Sequence, residues 1–180
     1  MIVIDVGNTS IVIGTYLKKK LHKVFRFKTE KNKKKFKSEF EIFLNSNEKE
    51  IFNSKNKVGV LSSVVPSLNS LIKKIFVDRG IAFYLVDPKN IPINTKINYK
   101  LNQIGSDRVA NYIAIYNNKF SDSIIIDFGT ATTFDVIKNN EYDGGLIFPG
   151  IALSMNSLIS NTELLKKSKI TKVKKIVAKD

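Results

Sequence analysis

The 180-residue chain contains no cysteine. That excludes a disulfide scaffold and any thiolate-held metal, and it fits a reducing compartment, so the expected location is cytoplasmic. Histidine is nearly absent too: His22 stands alone in an alternating polar and apolar stretch and reads as a surface residue rather than a ligand. No apolar run approaches the roughly 20 residues a membrane span needs, so no membrane association is expected. Met1 leads straight into a strand pattern, with no basic segment followed by an apolar one, and a signal peptide is not expected. No G-x-x-x-x-G-K-[ST] occurs, which excludes a P-loop, and no G-x-G-x-x-G follows a strand, which removes a dinucleotide-binding fingerprint. Arginine is scarce as well; of 30 basic residues only Arg26, Arg79 and Arg108 are arginine.

With 43% hydrophobic and 26% charged residues, the chain reads as globular, one large domain or two small ones. Its net charge of +14 raises nucleic acid as a partner. The charge, however, is almost all lysine. The runs Lys18 to Lys20 and Lys33 to Lys35 fall in turn-like or helix-surface contexts, with none of the interleaved aromatics that stack on bases. A genome biased toward Lys, Asn and Ile codons produces the same composition. The lysines therefore read as solvated surface, a field that also attracts small anionic substrates, and no specific nucleic acid is expected.

Alternation and β-branched content predict strands at Ile2 to Asp5, Ile11 to Leu17 and Leu21 to Phe27, with Val6-Gly7-Asn8-Thr9 as a tight turn. Phe36, Phe40, Phe43 and Leu44 recur at helical spacing, Val58 to Val60 is a buried-strand run, and Pro66 opens a helix that ends at Gly80. A strand over Ala82 to Val86 and a long loop from Asp87 to Gln103 follow. The second half repeats the plan. A helix marked by Val109, Tyr112, Ile113 and Tyr116 precedes strands at Ser123 to Asp127, Thr132 to Ile137 and Gly145 to Phe148, then a helix from Ile151 to about Leu165. The order strand, D-x-G turn, strand, strand, helix thus occurs twice, which reads as an internal duplication of half a domain.

The duplicated turns are IDVGNTS and IDFGTAT. Each places an aspartate at a strand end and a glycine two residues later. Gly7 can take positive φ and admit a ligand to the backbone. The amides of Gly7, Asn8 and Thr9 can then hold phosphate oxygens as a backbone nest does. Asp5 supplies the oxygen ligand that magnesium prefers, directly or through water. Asp127, Gly129 and Thr130 would do the equivalent elsewhere. One such turn is explained by an ordinary hairpin, where Asp, Gly, Asn and Thr are all common. Two with the same neighbours favour a polyphosphate clamp, and the duplicated pattern resembles the sugar kinase, Hsp70 and actin superfamily.

Gly105-Ser106-Asp107-Arg108 starts the first helix of the second half. Read alone, Ser106 caps the helix, Asp107 complements its dipole and Arg108 is surface. Against that stands a guanidinium suited to bidentate carboxylate binding in a chain that otherwise uses lysine. A carboxylate beside it could take the proton of a hydroxyl attacking a γ-phosphate.

Together, D-V-G-N-T at Asp5 to Thr9, G-S-D-R at Gly105 to Arg108, D-F-G-T-A-T-T-F-D at Asp127 to Asp135 and G-G-L-I-F-P-G at Gly144 to Gly150 make the chain similar to the type III pantothenate kinases. The resemblance implies an α/β fold of duplicated ribonuclease H-like, actin/Hsp70-type lobes, with mixed sheets flanked by helices and ATP in a cleft between them. On this reading residues 1–104 form the first lobe and 105–180 the second. It implies ATP-dependent phosphorylation of pantothenate, the first committed step toward coenzyme A, by a homodimer using Mg2+ and a monovalent cation, potassium or ammonium. By motif, Asp5, Val6, Gly7, Asn8, Thr9, Ser10, Ile11 and Val12 bind the ATP phosphates, together with Thr130. Asp107 is the general base. Tyr99, Gly105, Ser106, Asp107 and Arg108 hold pantothenate, with Arg108 facing its carboxylate. Asp127 sits at the monovalent cation, and the Gly144-Gly145 and Pro149-Gly150 turns at the adenosine.

The family pattern continues past Asp180, where a threonine that touches pantothenate across the dimer is expected, so the second lobe is expected to be incomplete. Another reading, from a different class, is a non-catalytic relative acting as a transcriptional accessory factor. Three retained aspartates and Arg108 speak for catalysis, since a binding-only protein needs no base beside a phosphate clamp.

Overall fold

The computed structural model describes residues 1–52 and 57–164. The first strands are β1 (Ile2–Val6), β2 (Ser10–Leu17) and β3 (Lys20–Lys28). Helices α1 (Lys33–Ser46) and α2 (Glu48–Ile51) follow, then β4 (Val58–Ser63), α3 (Pro66–Val77) and β5 (Ala82–Leu85). After a long connection come α4 (Ser106–Asn117), β6 (Ser123–Phe128), β7 (Ala131–Lys138), β8 (Glu141–Pro149) and α5 (Ile151–Asn161). The predicted order strand, turn, strand, strand, helix is present twice.

A five-stranded sheet runs β3-β2-β1-β4-β5. β1 pairs antiparallel with β2 and parallel with β4, so it lies at the centre of a mixed sheet. Alternation along β1 sends Ile2, Ile4 and Val6 into the core and turns Asp5 to the other face. On the core side they meet Phe36, Phe40 and Leu44 of α1 and Leu68, Ile72 and Phe76 of α3. These are the helical-period residues expected from the sequence. Asn32 caps α1, its side chain accepting from the amides of Lys34 and Lys35 at 3.1 Å.

The other sheet has the order β6-β7-β8. By contact density the chain divides into Met1–Ile125 with Asp135–Gly144, and Ile126–Phe134 with the described residues from Gly145 on. In the first unit Val109 and Tyr112 of α4 form a core with Ile104, Ile137 and Tyr142. The connection expected as a loop is pinned to that core. Ile97 bridges to Tyr142, the Asn98 amide donates to the Tyr142 carbonyl at 2.8 Å, and the Tyr142 amide donates to Lys96 at 3.1 Å. In the second unit Phe134 and Phe148 meet edge to face.

Several local expectations change. Gly7 and Gly129 do not take positive φ; among the described glycines Gly80 and Gly144 do. Ser106 is not the cap of α4. Gly105 holds that position, and the Ser106 hydroxyl is used elsewhere. β8 begins at Glu141 rather than Gly145, because the Gly144-Gly145 pair interrupts the apolar pattern without interrupting the strand. The last helix stops at Asn161, where Thr162 turns extended; Leu165 and the lysine-rich end lie outside the described residues.

Candidate functional site

The Gly7–Ser10 turn closes on itself, the Gly7 amide donating to the Ser10 carbonyl at 3.0 Å, so of the three amides expected to hold phosphate this one is engaged within the turn. A Cβ on Gly7 would come within 3.2 Å of that carbonyl, so the glycine serves tightness rather than handedness. Thr29, just past β3, secures the turn from outside. Its hydroxyl donates to the Gly7 carbonyl at 2.7 Å and its amide to the Thr9 carbonyl at 3.0 Å. The negative ends of two turn peptides are thereby engaged away from any anion. Thr29 was missed from the sequence, where a threonine at a strand end carries no mark. Among residues 5–12, Val6 and Ile11 are core side chains and could serve a ligand only through their backbone, whereas Asp5, Asn8 and Thr9 are exposed.

Asp5 sits beside Ser62 of β4 in the parallel ladder, on the face away from the β1 core residues. Ser62 in turn approaches Ser106, hydroxyl to hydroxyl, at 3.4 Å. The Ser106 hydroxyl accepts from the Ser63 amide at 2.6 Å and donates to the Ser63 carbonyl at 2.8 Å. It thus acts as a strand neighbour for the end of β4 and docks the start of α4 there. One ladder spacing, about 5 Å, and one serine pair therefore separate the aspartate of the first turn from the segment that carries Asp107. Beside Gly105 and Ser106 lies a cavity of about 390 Å³, lined also by Ser63, Asn69, Asp87 and Gln103, within the size range of small-molecule sites.

Asp107 lies in the first turn of α4, and its Oδ1 accepts from the Arg108 amide at 2.8 Å. The carboxylate folds over Gly105 so closely that any Cβ there would collide with Oδ1. Gly105 has φ −68° and ψ 151°, open to any residue, so the glycine is required by the carboxylate and not by the backbone.

Arg108 was expected either on the surface or facing a substrate carboxylate. It is 4% exposed, and its Nε donates to Oδ1 of Asp135 at 2.6 Å, a carboxylate that is itself 0% exposed. The Tyr142 hydroxyl donates to the same Oδ1, and the Arg108 guanidinium carbon lies 6.0 Å from the Tyr142 ring centroid. Burial pushes the Tyr142 pKa up, and the Asp135 bond and charge push the same way, so the hydroxyl stays a donor throughout the physiological range. Tyr99, 39% exposed, meets the Tyr142 ring edge to face at 6.4 Å, and Gly144 packs against its ring. Asp135 and Tyr142 had no assigned role from the sequence. Asp135 closes the D-F-G-T-A-T-T-F-D stretch, but an aspartate in mid-strand becomes legible only when its partner is known.

The first unit therefore brings together the Asp5 turn and Gly105 to Arg108, and joins Tyr99 to Arg108 through Tyr142 and Asp135. Asp127 and Thr130 belong to the second unit, where the Gly129 amide donates to Ala131 at 2.9 Å and the Gly150 amide to the Thr130 carbonyl at 2.9 Å. A Cβ on Gly150 would overlap the Gly129 carbonyl and lie 2.6 Å from that of Thr130. The Pro149-Gly150 turn thus seats the first turn of α5 directly on the second D-x-G turn.

A family model described as type III pantothenate kinase matches residues 1–180. The chain belongs to the type III pantothenate kinase family. Two relatives bearing that name agree with it: one from Sulfurihydrogenibium sp. (strain YO3AOP1) is 40% identical over the whole chain and 72% of its own length, and one from Geotalea daltonii is 36% identical over the whole chain and 71% of its own. Among solved structures, one described as a Baf family transcriptional activator from Campylobacter jejuni has a TM-score of 0.54 at 23% identity, over 89% of this chain and 59% of its own. Another, described as a 2-dehydro-3-deoxygalactonokinase from Sinorhizobium meliloti, has a TM-score of 0.53 at 8% identity, over 92% of this chain and 58% of its own. At such identities the likeness is one of fold. It is the mixed α/β, actin-like fold of the sugar kinases, as the duplicated turns implied. No helix among the described residues is long and apolar enough to cross a membrane.

Proposed function

We propose that this chain catalyses ATP-dependent phosphorylation of the primary hydroxyl of pantothenate, the first step toward coenzyme A. Family membership supports the reaction, and the observation that carries the site is the docking of Gly105–Arg108 against β4 beside Asp5. Asp107 acts as general base: its carboxylate takes the proton of the acceptor hydroxyl as that oxygen attacks the γ-phosphorus and ADP leaves. The turn from Asp5 to Val12 binds the phosphates through the amides of Asn8 and Thr9, since the Gly7 amide is given to the Ser10 carbonyl and the carbonyls of Gly7 and Thr9 are held by Thr29. Thr130 contributes from the second turn, where the first-turn amides of α5 lie close by.

Mg2+ requires few protein ligands when phosphates supply the rest. The exposed Asp5 carboxylate fits that need, and no cluster of three or more carboxylate, histidine or cysteine side chains occurs among the described residues. Bound there, the ion would offset phosphate charge; Asp127 would serve potassium or ammonium. Tyr99, Gly105 and Arg108 hold pantothenate, and Ser106 contributes through its backbone, its hydroxyl being engaged by Ser63. The lobes at 1–104 and 105–180, the cytoplasmic location and the homodimer are carried over from the family. The transcriptional alternative is not favoured, because relatives at 40% and 36% identity bear the name type III pantothenate kinase.

The test is formation of phosphopantothenate with saturating ATP and pantothenate. Wild-type protein carrying the whole second lobe should turn over, and Asp107→Asn should bind ATP yet be slower by roughly 100-fold or more. Near-normal turnover by the variant would remove Asp107 from the mechanism.

A further inference from the structure

We infer that Asp135 and Tyr142 are positioning residues that aim Arg108 at the acceptor. The inference rests on the reading of Arg108 as the group that holds the substrate carboxylate. A guanidinium has a rigid fork, and its usefulness depends on the plane it adopts. Here the plane is set by two linked bonds: Nε is tied to Asp135 Oδ1 at 2.6 Å, and the same oxygen is tied to the Tyr142 hydroxyl. Tyr142 is itself immobilised, 1% exposed and bonded through both its amide and its carbonyl to the 96–98 segment. Three residues from α4, β7 and β8 thus form one buried unit.

A second observation argues against a purely structural pair. Asp135 Oδ2 is buried and has no hydrogen-bond partner among the described residues. A buried ion pair adds little net stability over apolar groups of the same shape, and a carboxylate oxygen left unsatisfied makes it worse. A buried, half-satisfied carboxylate calls for an account beyond stability, and orienting Arg108 supplies one here. Charge also matters to binding. With Asp135 present, the buried Arg108 pair is neutral overall, so a substrate carboxylate is selected by the direction of the N–H groups more than by bulk attraction. Tyr99 extends the unit outward, since its ring rests on Tyr142 and it is part-exposed beside Gly144. The two side chains read as pantothenate contacts, Tyr99 and Arg108, are therefore held in mutual register by two residues that need not touch the substrate.

The test is steady-state kinetics of Asp135→Asn and Tyr142→Phe in the full chain, with both substrates varied. Positioning predicts a pantothenate KM raised about tenfold in Asp135→Asn, which loses the charge facing Arg108 Nε, and about threefold in Tyr142→Phe, which loses a bond one step removed from the guanidinium. The ATP KM should stay within about twofold in both. A merely structural pair would lower the active fraction, cutting kcat and leaving both KM values alone, and that result would overturn the inference. Should Asp135→Asn fail to fold, Tyr142→Phe decides, because it deletes one hydroxyl and keeps the ring. Unchanged pantothenate KM in an active Tyr142→Phe sinks the positioning role only. Wild-type protein carrying the whole second lobe but showing no pantothenate-dependent turnover sinks the functional reading, and this inference with it.

Discussion

Gly105 separates two reasons for a glycine that a sequence cannot tell apart. Its backbone angles suit any residue, yet the space a Cβ would take belongs to the Asp107 carboxylate. Val64 Cγ1 stands 3.3 Å from the same point, so the methyl would not be accommodated without movement. The group that gives way most easily is the end of the Asp107 side chain, which can rotate out. Gly105→Ala should therefore cost under about 1 kcal/mol of stability, the ordinary penalty of alanine at a helix cap. It should lower kcat by roughly 10-fold to 100-fold, because a displaced base is a misplaced reacting group. Thermal unfolding measured beside turnover checks both halves. A large drop in melting temperature with proportionate loss of activity would mean that the glycine serves the fold and not the carboxylate.

Elements were legible where one residue type recurs at one period. The Phe36, Phe40 and Leu44 stripe, the Pro66 start and the β1 alternation all describe faces that the chain buries locally, and the structure uses them so. What escaped notice depended on partners far along the chain. Ser106 looked like a cap because serine often caps, but β4 ends with a backbone pair that its hydroxyl satisfies. Arg108 looked like surface or substrate contact because Asp135 lies 27 residues away. Thr29 belongs to the same class, and it carries a prediction. Its hydroxyl holds the Gly7 carbonyl across 22 residues, so the phosphate turn is shaped by the end of β3 as well as by its own glycine. Thr29→Val keeps the branched shape and the amide bond to Thr9 while losing that hydroxyl. The lost bond is worth about 1 kcal/mol, and the expected outcome is an ATP KM raised several-fold with the pantothenate KM unchanged. An unaltered ATP KM would show that the turn holds its shape alone.

At the scale of the whole molecule the open question is the charge of +14. The lysines of α1 occupy positions 33, 34, 35 and 37, all exposed, while its inner face is phenylalanine and leucine. Lys18 and Lys19 form the two-residue turn between β2 and β3, both with positive φ, where asparagine or glycine is the usual occupant; Asn139 and Asn140 do the same between β7 and β8. Lysine has thus been placed in generic polar positions, even in one that suits it poorly. Some of it is offset nearby, as in Lys35 with Glu30 and Lys74 with Asp78. A surface built in this way attracts polyanions through counterion release and does not read bases, which takes side chains directed into a groove. We expect random duplex DNA to bind at low salt and to lose most of that affinity between about 50 and 200 mM, with no preference among sequences. Fluorescence anisotropy across a salt series, with several unrelated duplexes, makes the measurement. Tight binding that survives physiological salt and selects one sequence would overturn the solvated-surface reading and revive a nucleic-acid role. Steep salt dependence without selectivity would leave the lysines as a field whose functional consequence is attraction of anionic substrates. In that case the pantothenate KM should itself rise with ionic strength.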